Sequence, residues 1–453
     1  MLPVSPSHHN AQAENPPPRK YRRVDEDESG AKLIFVPQLG LVIDDTGMTG
    51  PLPRPTALRP PPYLANDLLE LCFVDAAKGK KGTTGNDDLL FSGPTFTHQL
   101  FDDELFDFLE PRLEPVDLTT LLIFRLNDLR CRVILPRGLS PRETELLREG
   151  LLRGVPADTE FVNHTDEVED CVDDFAQAGK PLTVRVGNSI HTFVSSRGES
   201  FEIWLASAKD AGCSEVWKRF EKVAVMFIET ADGVDFSGDD RWQCLWLAKC
   251  NRDSSFSLVG YYTLFSFRNP YAGTRLRICQ ALILPPYQGQ GLGRQLLAAT
   301  YRMAQRNAEV VEVTVEDPAP GFQQLRDAID FEWCTTLHPK ITRAGVALLN
   351  DSTSVTSKAR EVAAELKLTS SQVQAVIEAV QLHALRSTLD AHAGADGAAM
   401  ASFRLRVKRR LLAENPDLRT RPKAEMQTEL DELYEEQLQR LERLDKHVSR
   451  IKV

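Results

Sequence analysis

A short glycine-rich segment lies directly after an apolar run and directly before a helical pattern, and this order constrains the fold more than any other feature. The apolar run is Ala281-Leu282-Ile283-Leu284, which is apolar on both faces as expected of a central buried strand. The segment is Gln288-Gly289-Gln290-Gly291-Leu292-Gly293-Arg294, and apolar residues at helical spacing follow from 294 to 306. Glycines let backbone N–H groups approach an anion closely, and the N-terminus of the next helix favours negative charge there. The order therefore predicts a pyrophosphate-binding loop.

Two other kinds of phosphate-binding loop have a different spacing. A P-loop would continue with Lys and then Ser or Thr, whereas Arg294 follows Gly293 here. A dinucleotide-binding loop would have the spacing Gly-x-Gly-x-x-Gly and a later acidic residue. The spacing here is Gln-x-x-Gly-x-Gly, which starts at Gln288, and residues 311–315 then alternate as in a strand. An ordinary structural turn stays open as the alternative to a phosphate site.

The composition excludes several classes of protein. Of the 453 residues, 42% are hydrophobic and 26% are charged, which is typical of a globular chain with two or three domains. No apolar run reaches the roughly 18 residues that a membrane helix needs. The net charge of −11 argues against a protein that coats DNA and is compatible with a basic partner. The cysteines form no Cys-x-x-Cys and the histidines no His-x-x-x-His, so we expect a reducing compartment and no metal site.

The chain divides into four predicted parts. Residues 1–30 are rich in proline and charge, lack an apolar signal segment, and predict a disordered tail. Residues 31–185 predict a mixed α/β domain, with strands at 32–36, 121–124, 131–135 and 183–186. Residues 186–345 predict a helix at 217–228 and strands at 242–248, 257–267 and 277–284. Residues 346–453 predict a helical domain, with a capping box at 369–372 and a last helix at 429–451 folded back on the domain rather than forming a coiled coil.

Several stretches resemble a known family. The spacing Gln-x-x-Gly-x-Gly resembles the coenzyme A pyrophosphate loop of the GNAT acetyltransferase superfamily. Within that superfamily, the chain resembles the catalytic subunit of type B histone acetyltransferases. The similar stretches occur in the right order and are densest from 225 to 330; they are 97–101, 227–231, 239–242, 260–261, 282–291, 315–318, 325–327 and 408–411.

The resemblance implies an architecture and a function. The implied fold is an α/β protein with a GNAT acetyltransferase core, an N-terminal mixed α/β domain and a C-terminal helical domain. The implied activity is transfer of acetyl from acetyl-CoA to lysines in the N-terminal tail of newly synthesised, soluble histone 4, without a metal. The implied partners are histone 4 with histone 3, and a WD-repeat histone chaperone, in the nucleus and the cytoplasm. Direct binding to nucleic acid or to a membrane is not expected.

Glu316 is the candidate general base. A lysine amine has a pKa near 10.4, so about one amine in a thousand is neutral near pH 7.4, and a base gives the proton a route to leave. Glu316 ends the strand after the cofactor helix, and we expect its side chain to be partly buried. The resemblance implies the same role, with direct attack of the amine on the acetyl carbonyl. Asp317 is the second choice, and a pair of surface acids ahead of Pro318 is the alternative.

The resemblance also implies the binding residues. Strand backbone at Ala281, Leu282 and Ile283 would contact the pantetheine arm and the acetyl carbonyl. The pyrophosphate would be held by the loop residues Gln288, Gly289, Gln290, Gly291, Leu292, Gly293 and Arg294. The histone tail would contact carboxylates and aromatic side chains, namely Asp102, Asp103, Glu104, Trp242, Phe265, Ser266 and Phe267. A solvated acidic loop and a core tryptophan are the alternatives for Asp102 to Glu104 and for Trp242.

Two other functions stay open on the sequence alone. One is an acetyltransferase for a different protein or for a small amine, in which case the acidic and aromatic residues are incidental. The other is a histone-binding assembly factor whose acyl-CoA site is vestigial, which the intact glycine loop and Glu316 argue against. A basic patch in the C-terminal region, Arg404, Arg406, Lys408, Arg409 and Arg410, favours a solvated helix face over a nucleic-acid site because aromatic residues are not interleaved with it.

Overall fold

The computed structural model describes most of the chain after residue 118 and shorter stretches before it. The described residues are 34–36, 41–43, 49–50, 65–75, 90–97, 118–165, 167–229, 231, 233–236, 238–339, 352–391 and 397–448. Residues 1–55 and 56–453 form two compact units. The predicted disordered tail lies outside the described residues. No helix in the described ranges is long and apolar enough to cross a membrane.

The first unit contains a small antiparallel sheet. Its strands, in spatial order, are β1 (Ile34–Val36), β2 (Leu41–Ile43) and β3 (Thr49–Gly50). The predicted strand at 32–36 is confirmed in its last three residues by β1.

The second unit starts with a mixed sheet flanked by helices. A one-turn helix α1 (Ala65–Leu68) leads into the sheet, whose strands are β4 (Leu69–Val74), β5 (Leu90–Ser92), β6 (Thr120–Arg125), β7 (Cys131–Ile134) and β8 (Glu160–Val162). The spatial order is β5-β4-β6-β7-β8, and the helices are α2 (Pro141–Leu152) and α3 (Val168–Gln177). Ser140 and Glu143 form a reciprocal capping box that starts α2. The predicted strands at 121–124 and 131–135 are confirmed by β6 and β7.

A six-stranded sheet forms the centre of the second unit. Its strands are β9 (Asn188–Val194), β10 (Ser200–Ser207), β11 (Trp242–Cys250), β12 (Phe256–Asn269), β13 (Gly273–Ile283) and β14 (Val310–Val315). The order is β14-β13-β12-β11-β10-β9, and every neighbouring pair is antiparallel except β13 with β14. The predicted strand at 183–186 is wrong, because only an isolated bridge at Leu182 forms there. Gly187 takes a φ of 98°, which interrupts the extended chain before β9 begins.

Helices cover both faces of this sheet. The helices are α4 (Cys213–Ala224), α5 (Leu292–Arg306) and α6 (Pro320–Leu337), and α4 ends four residues before the predicted helix end at 228. On one face, the rings of Trp217 and Phe220 in α4 lie 5.1 Å and 4.9 Å from Tyr261 of β12. On the other face, the hydroxyl of Tyr262 donates to the carbonyl oxygen of Gly293 in α5 at 2.9 Å. Adjacent residues of β12 therefore fix one helix to each face of the sheet.

The C-terminal part is helical, as predicted. Its helices are α7 (Ser352–Leu366), α8 (Ser370–Ala391), α9 (Gly397–Glu414) and α10 (Lys423–Val448). Thr369 and Gln372 make the predicted capping box at the start of α8, with bonds of 2.9 Å and 3.4 Å. The last helix packs within its own chain, because Leu441 and Leu444 are buried and Arg440 pairs with Asp327 of α6 at 2.6 Å. This is the folded-back arrangement that the sequence favours.

A buried carboxyl group joins these helices to the central sheet region. Asp330 of α6 is 1% exposed. It accepts hydrogen bonds from the Tyr301 hydroxyl of α5 at 2.7 Å and from the Gln372 amide of α8 at 2.5 Å. Burial raises the pKa of Asp330 above its usual range. This contact crosses the predicted boundary at 345, and the division into domains at 31–185, 186–345 and 346–453 stays a prediction.

Candidate active site

The parallel strands β13 and β14 pair only along part of their length, which leaves an open edge on β13. Their pairing runs from Thr274 opposite Val310 to Ile278 opposite Val315, and the backbone N–H of Glu316 then donates to the Ile278 carbonyl at 2.9 Å. On its other side, β13 stays paired with β12 as far as Ile283. The residues 279–283 therefore extend past the last β14 pair, and their edge on that side is available to an extended ligand.

The polar backbone groups on the open edge come from alternate residues of β13. The N–H of Leu284 donates to the Val259 carbonyl, on the β12 side, at 2.9 Å. Because successive residues of a strand direct their N–H and C=O groups to opposite sides, those of Ala281 and Ile283 face the open edge. The groups of Leu282 face β12 instead, and its side chain is buried. Of the three predicted strand contacts, two therefore present their backbone to the open edge.

The glycine loop begins at this edge. The side-chain amide of Gln288 donates to the carbonyl of Ile283 at 2.8 Å, which fixes the loop to the end of β13. Gly289 and Gly291 have φ values of 70° and 77°, and a Cβ on either would meet no atom within 4 Å. Backbone conformation rather than space therefore requires glycine at both positions. No side chain caps α5, which starts at Leu292, so its first-turn N–H groups are left for a ligand or solvent.

The last two residues of the loop have different roles. A Cβ on Gly293 would lie 3.2 Å from Leu325 and 3.8 Å from the Tyr262 hydroxyl, so this glycine permits close packing of α5. Arg294 forms an ion pair with Glu332 of α6. The Gln290 amide donates to the Pro286 carbonyl at 3.2 Å, within the loop itself.

The open edge and the loop together fit an acyl-CoA. A pantetheine arm carries amides that need strand-like partners, and Ala281 and Ile283 supply them on one edge. A diphosphate needs several N–H donors, and the glycine loop with the start of α5 supplies these. The Gln288 side chain connects the two features, so both lie at the same end of β13. Within the ranges that the structure describes, no group of three or more His, Cys, Asp or Glu is placed to hold a metal ion.

Glu316 lies one residue beyond β14, beside the point where the strands part. Its Oε1 accepts a hydrogen bond from Nη1 of Arg277 at 3.2 Å. The side chain is 46% exposed, so it is less enclosed than we expected from the sequence. Burial, the Glu316 charge and a hydrogen bond to Glu316 raise the pKa of the neighbouring Cys279 to about 12. Asp317, the second candidate, is exposed and takes a φ of 31°, a strained value of the kind that concentrates at functional sites.

Three of the predicted substrate residues form a continuous aromatic wall. Trp242 of β11 lies opposite Phe265 of β12, with ring centroids 4.7 Å apart, and Phe267 is a further 4.7 Å from Phe265. The guanidinium of Arg241 lies 4.6 Å above the Phe265 ring, and that of Arg277 lies 4.4 Å above the Phe267 ring. Since Arg277 also binds Glu316, the aromatic wall and the candidate base are neighbours.

The other predicted substrate residues are not part of this wall. Ser266 lies between Phe265 and Phe267 in β12, so its side chain is on the opposite face of the sheet. There it lines a cavity of about 260 Å³ with Met303 and Ala304 of α5. Asp102, Asp103 and Glu104 lie outside the described residues.

Sequence reasoning missed Arg241, which lies over Phe265, and Arg277, which lies over Phe267 and binds Glu316. In the sequence, Arg277 is only the first residue of a predicted strand. Its role depends on register, because it pairs with Phe265 on one side and with Thr314 on the other. Local patterning carries no signal for such a contact between three strands.

Comparison with known proteins identifies the domain that contains this site. Residues 213–322 match the acetyltransferase (GNAT) family. The chain contains a GNAT acetyltransferase domain. The match runs from the first residue of α4 into α6, and it includes the open edge, the glycine loop and Glu316. The predicted fold class, with its GNAT acetyltransferase core, is thereby confirmed.

Curated relatives share the name that the sequence resemblance predicted. A rat protein named histone acetyltransferase type B catalytic subunit is 29% identical over 50% of this chain and 53% of its own length. A protein of the same name from Debaryomyces hansenii is 25% identical over 78% of this chain and 82% of its own length. The chain spans about half the length of the rodent relatives that it matches, at 53% for rat and for mouse. The predicted similarity to type B catalytic subunits is confirmed.

Among solved structures, the xEco2 acetyltransferase domain bound to a CoA conjugate aligns with a TM-score of 0.25 at 10% identity. That alignment covers 32% of this chain and 92% of the xEco2 chain.

Proposed function

We propose that this protein is a histone acetyltransferase that transfers acetyl from acetyl-CoA to lysines in the N-terminal tail of newly synthesised, soluble histone 4. The observation that carries the proposal is the position of Glu316, beside the open edge of β13 and next to the aromatic wall. The names of the curated relatives support a histone substrate. The net charge of −11 favours a basic substrate.

In this proposal, the residues of the chain divide the work between cofactor and substrate. Bound acetyl-CoA supplies the activated acetyl group. Ala281 and Ile283 bind the pantetheine amides through their backbone, and the loop from Gln288 to Arg294 binds the diphosphate. Glu316 would take one proton from the lysine ammonium, and the neutral amine would attack the acetyl carbonyl directly. The new C–N bond would replace the C–S bond, and the second amine proton would go to the departing CoA thiolate. Making a neutral lysine amine in water costs about 4 kcal/mol near neutral pH, and a positioned base gives that proton an acceptor.

The aromatic wall would bind the aliphatic part and the charge of the substrate lysine. Aromatic faces attract cations within about 6 Å of the ring centroid. Arg241 and Arg277 already cover Phe265 and Phe267, so a basic peptide has to approach from the uncovered side or displace one guanidinium. Trp242, which is half-buried, would then be the ring nearest to the incoming side chain. Histone 3, a WD-repeat histone chaperone, and a location in nucleus and cytoplasm belong to the same proposal and rest on the family resemblance.

Glu316→Gln tests the proposal directly. We would measure transfer from labelled acetyl-CoA to a free histone 4 tail peptide, together with acetyl-CoA binding by calorimetry. We expect a loss of about 100-fold or more in kcat with preserved cofactor affinity, because the amide cannot accept the proton. Glu312→Gln is the matched control, since Glu312 lies four residues earlier, on β14, and pairs with Arg275 at 2.8 Å.

Three outcomes would count against parts of the proposal. Equal activity in the Glu316 variant and the wild type would remove Glu316 as base, and Asp317→Asn would then test the second candidate. Faster acetylation of a polyamine or an unrelated protein than of the histone tail would favour another amine substrate. Cofactor binding without any transfer by the wild type would favour an assembly factor with a vestigial site.

A further inference from the structure

Arg277 contacts two parts of the candidate site at once, although the proposed chemistry does not use it. Its Nη1 lies 3.2 Å from Oε1 of Glu316, and its guanidinium carbon lies 4.4 Å from the centre of the Phe267 ring. Its strand register places it opposite Phe265 of β12 and Thr314 of β14. The guanidinium therefore lies on the face that the aromatic wall shares with Glu316.

Little else holds the Glu316 side chain in one orientation. The residue follows the last residue of β14, and its backbone N–H still bonds to Ile278, but its side chain is 46% exposed. The next residue, Asp317, leaves the strand with a φ of 31°. A long exposed side chain keeps most of its rotamer freedom unless a partner restricts it. A planar guanidinium fixed on an aromatic ring is a suitable partner, since its donors are already oriented.

We propose that Arg277 is a positioning residue for Glu316. It binds one carboxylate oxygen and leaves the other to accept the proton of the substrate amine. Its positive charge also disfavours the ammonium form of a lysine held beside it, so the substrate loses its proton more readily. The inference rests on the proposed role of Glu316 as general base.

The other charged or titratable groups near this pair do not replace the guanidinium. On β13, Arg275 is already paired with Glu312 of β14 at 2.8 Å. Also on β13, the Cys279 thiol stays protonated, because its pKa is about 12. Asp317 adds a negative charge beside the base, and the facing part of β12 contributes the uncharged ring of Phe267. Among the described residues that face the base, Arg277 is thus the cation in contact with it.

A double-mutant cycle in the full chain tests the inference. We would measure kcat and KM against pH, with the histone 4 tail peptide, for the wild type, Arg277→Gln, Glu316→Gln and the double variant. We expect Arg277→Gln to lower kcat/KM by about 10-fold near neutral pH, through kcat rather than through the KM for the peptide. The Glu316→Gln background is measured at alkaline pH, where the substrate amine itself is more often neutral. In that background, we expect the added Arg277→Gln substitution to change kcat/KM by less than about 2-fold.

Two further variants separate positioning from a merely structural role. Arg275→Gln removes the ion pair between Arg275 and Glu312 on the same face of β13, and should leave both kcat and KM unchanged. Arg277→Lys keeps the positive charge but loses the planar guanidinium with its oriented donors, so we expect a smaller loss of kcat/KM, about 3-fold. If Arg277→Gln does not fold, as judged by its thermal unfolding and acetyl-CoA affinity, the cycle is run with the lysine variant.

The outcomes are distinct. A loss from Arg277→Gln that is equally large in both backgrounds, or a loss that lies in KM with kcat unchanged, would overturn the inference, because the arginine would then act without Glu316. Full activity of Glu316→Gln would instead overturn the assignment of the base on which the inference rests. Coupling between the two variants, with the loss from Arg277→Gln confined to kcat, would support the inference.

Discussion

Replacing Cys279 by alanine should leave most of the acetyl transfer intact. This thiol lies at the start of the open edge, close to Glu316, and donates to the Arg277 carbonyl at 3.8 Å, so its position alone suits an acyl-carrying nucleophile. With a pKa of about 12, it is ionised in only about one molecule in 30,000 at about pH 7.5, which corresponds to about 6 kcal/mol. Ionisation of a lysine ammonium costs about 4 kcal/mol under the same conditions. Direct attack by the amine is therefore favoured over a cysteine acyl-enzyme.

The assay compares Cys279→Ala with the wild type and with Cys171→Ala, a control on α3. We expect kcat within about 3-fold of the wild type, since the substitution removes one sulfur from a partly exposed position. Initial rates at varied acetyl-CoA and peptide concentrations should give intersecting lines, and protein incubated with labelled acetyl-CoA alone should carry no stoichiometric label. Parallel lines, covalent label on Cys279, or a loss of about 100-fold with intact cofactor binding would refute the reasoning.

Three further predictions concern the loop, the wall and the central sheet. Gly291→Ala should weaken acetyl-CoA binding by about 5-fold in calorimetry, because a φ of 77° costs a residue with a Cβ about 1 kcal/mol or more. Unchanged affinity would show that binding does not need the left-handed conformation at this position. Trp242→Leu should raise KM for the histone peptide about 5-fold or more with little change in acetyl-CoA affinity. The control Trp333→Leu, on α6, should change neither KM nor acetyl-CoA affinity. If both variants raise KM equally, Trp242 does not belong to the substrate site. Two hydrogen bonds from Arg185, the largest cause, and one from Trp204 lower the pKa of Glu202 to about 2. Since the folded pKa lies below the ordinary value of 4.5, the ion pair stabilises fully above about pH 4.5 and is lost as the pH falls through about 2. In denaturant unfolding, Glu202→Gln should therefore cost about 2 kcal/mol near neutral pH and progressively less in acid, and a cost independent of pH would contradict this.

Local patterns were enough to predict the strand, the loop and the helix that make up the proposed cofactor end of the site. The apolar run 281–284, the glycine loop and the start of the next helix are contiguous in the chain, so their spatial order follows directly from their sequence order. The conformational need at Gly289 and Gly291 is also local. Gly293 looks the same in sequence, but its role depends on Leu325 and Tyr262, which come from other elements.

Features that depend on strand pairing could not be predicted in this way. The open edge exists because β14 stops pairing at Val315 while β12 continues to pair as far as Ile283, and neither limit is encoded in β13 itself. The aromatic wall likewise depends on the register that sets Trp242 opposite Phe265. The error at 183–186 has a local cause, because its valines suggest a strand but Gly187 interrupts the extended chain.

The buried carboxyl of Asp330 has a consequence for how the chain can be shortened. A chain ending after α6 would keep Asp330 and Tyr301 but lose Gln372, and with it the amide that bonds to one carboxyl oxygen. An unsatisfied buried polar group costs about 1–3 kcal/mol, and the apolar faces that α6 shares with α8 and α10 would become exposed to water as well. The acetyltransferase domain would then expose an aggregation-prone surface. Its folding and that of the C-terminal helices should be a single cooperative event, so that expression of the catalytic segment alone yields insoluble protein.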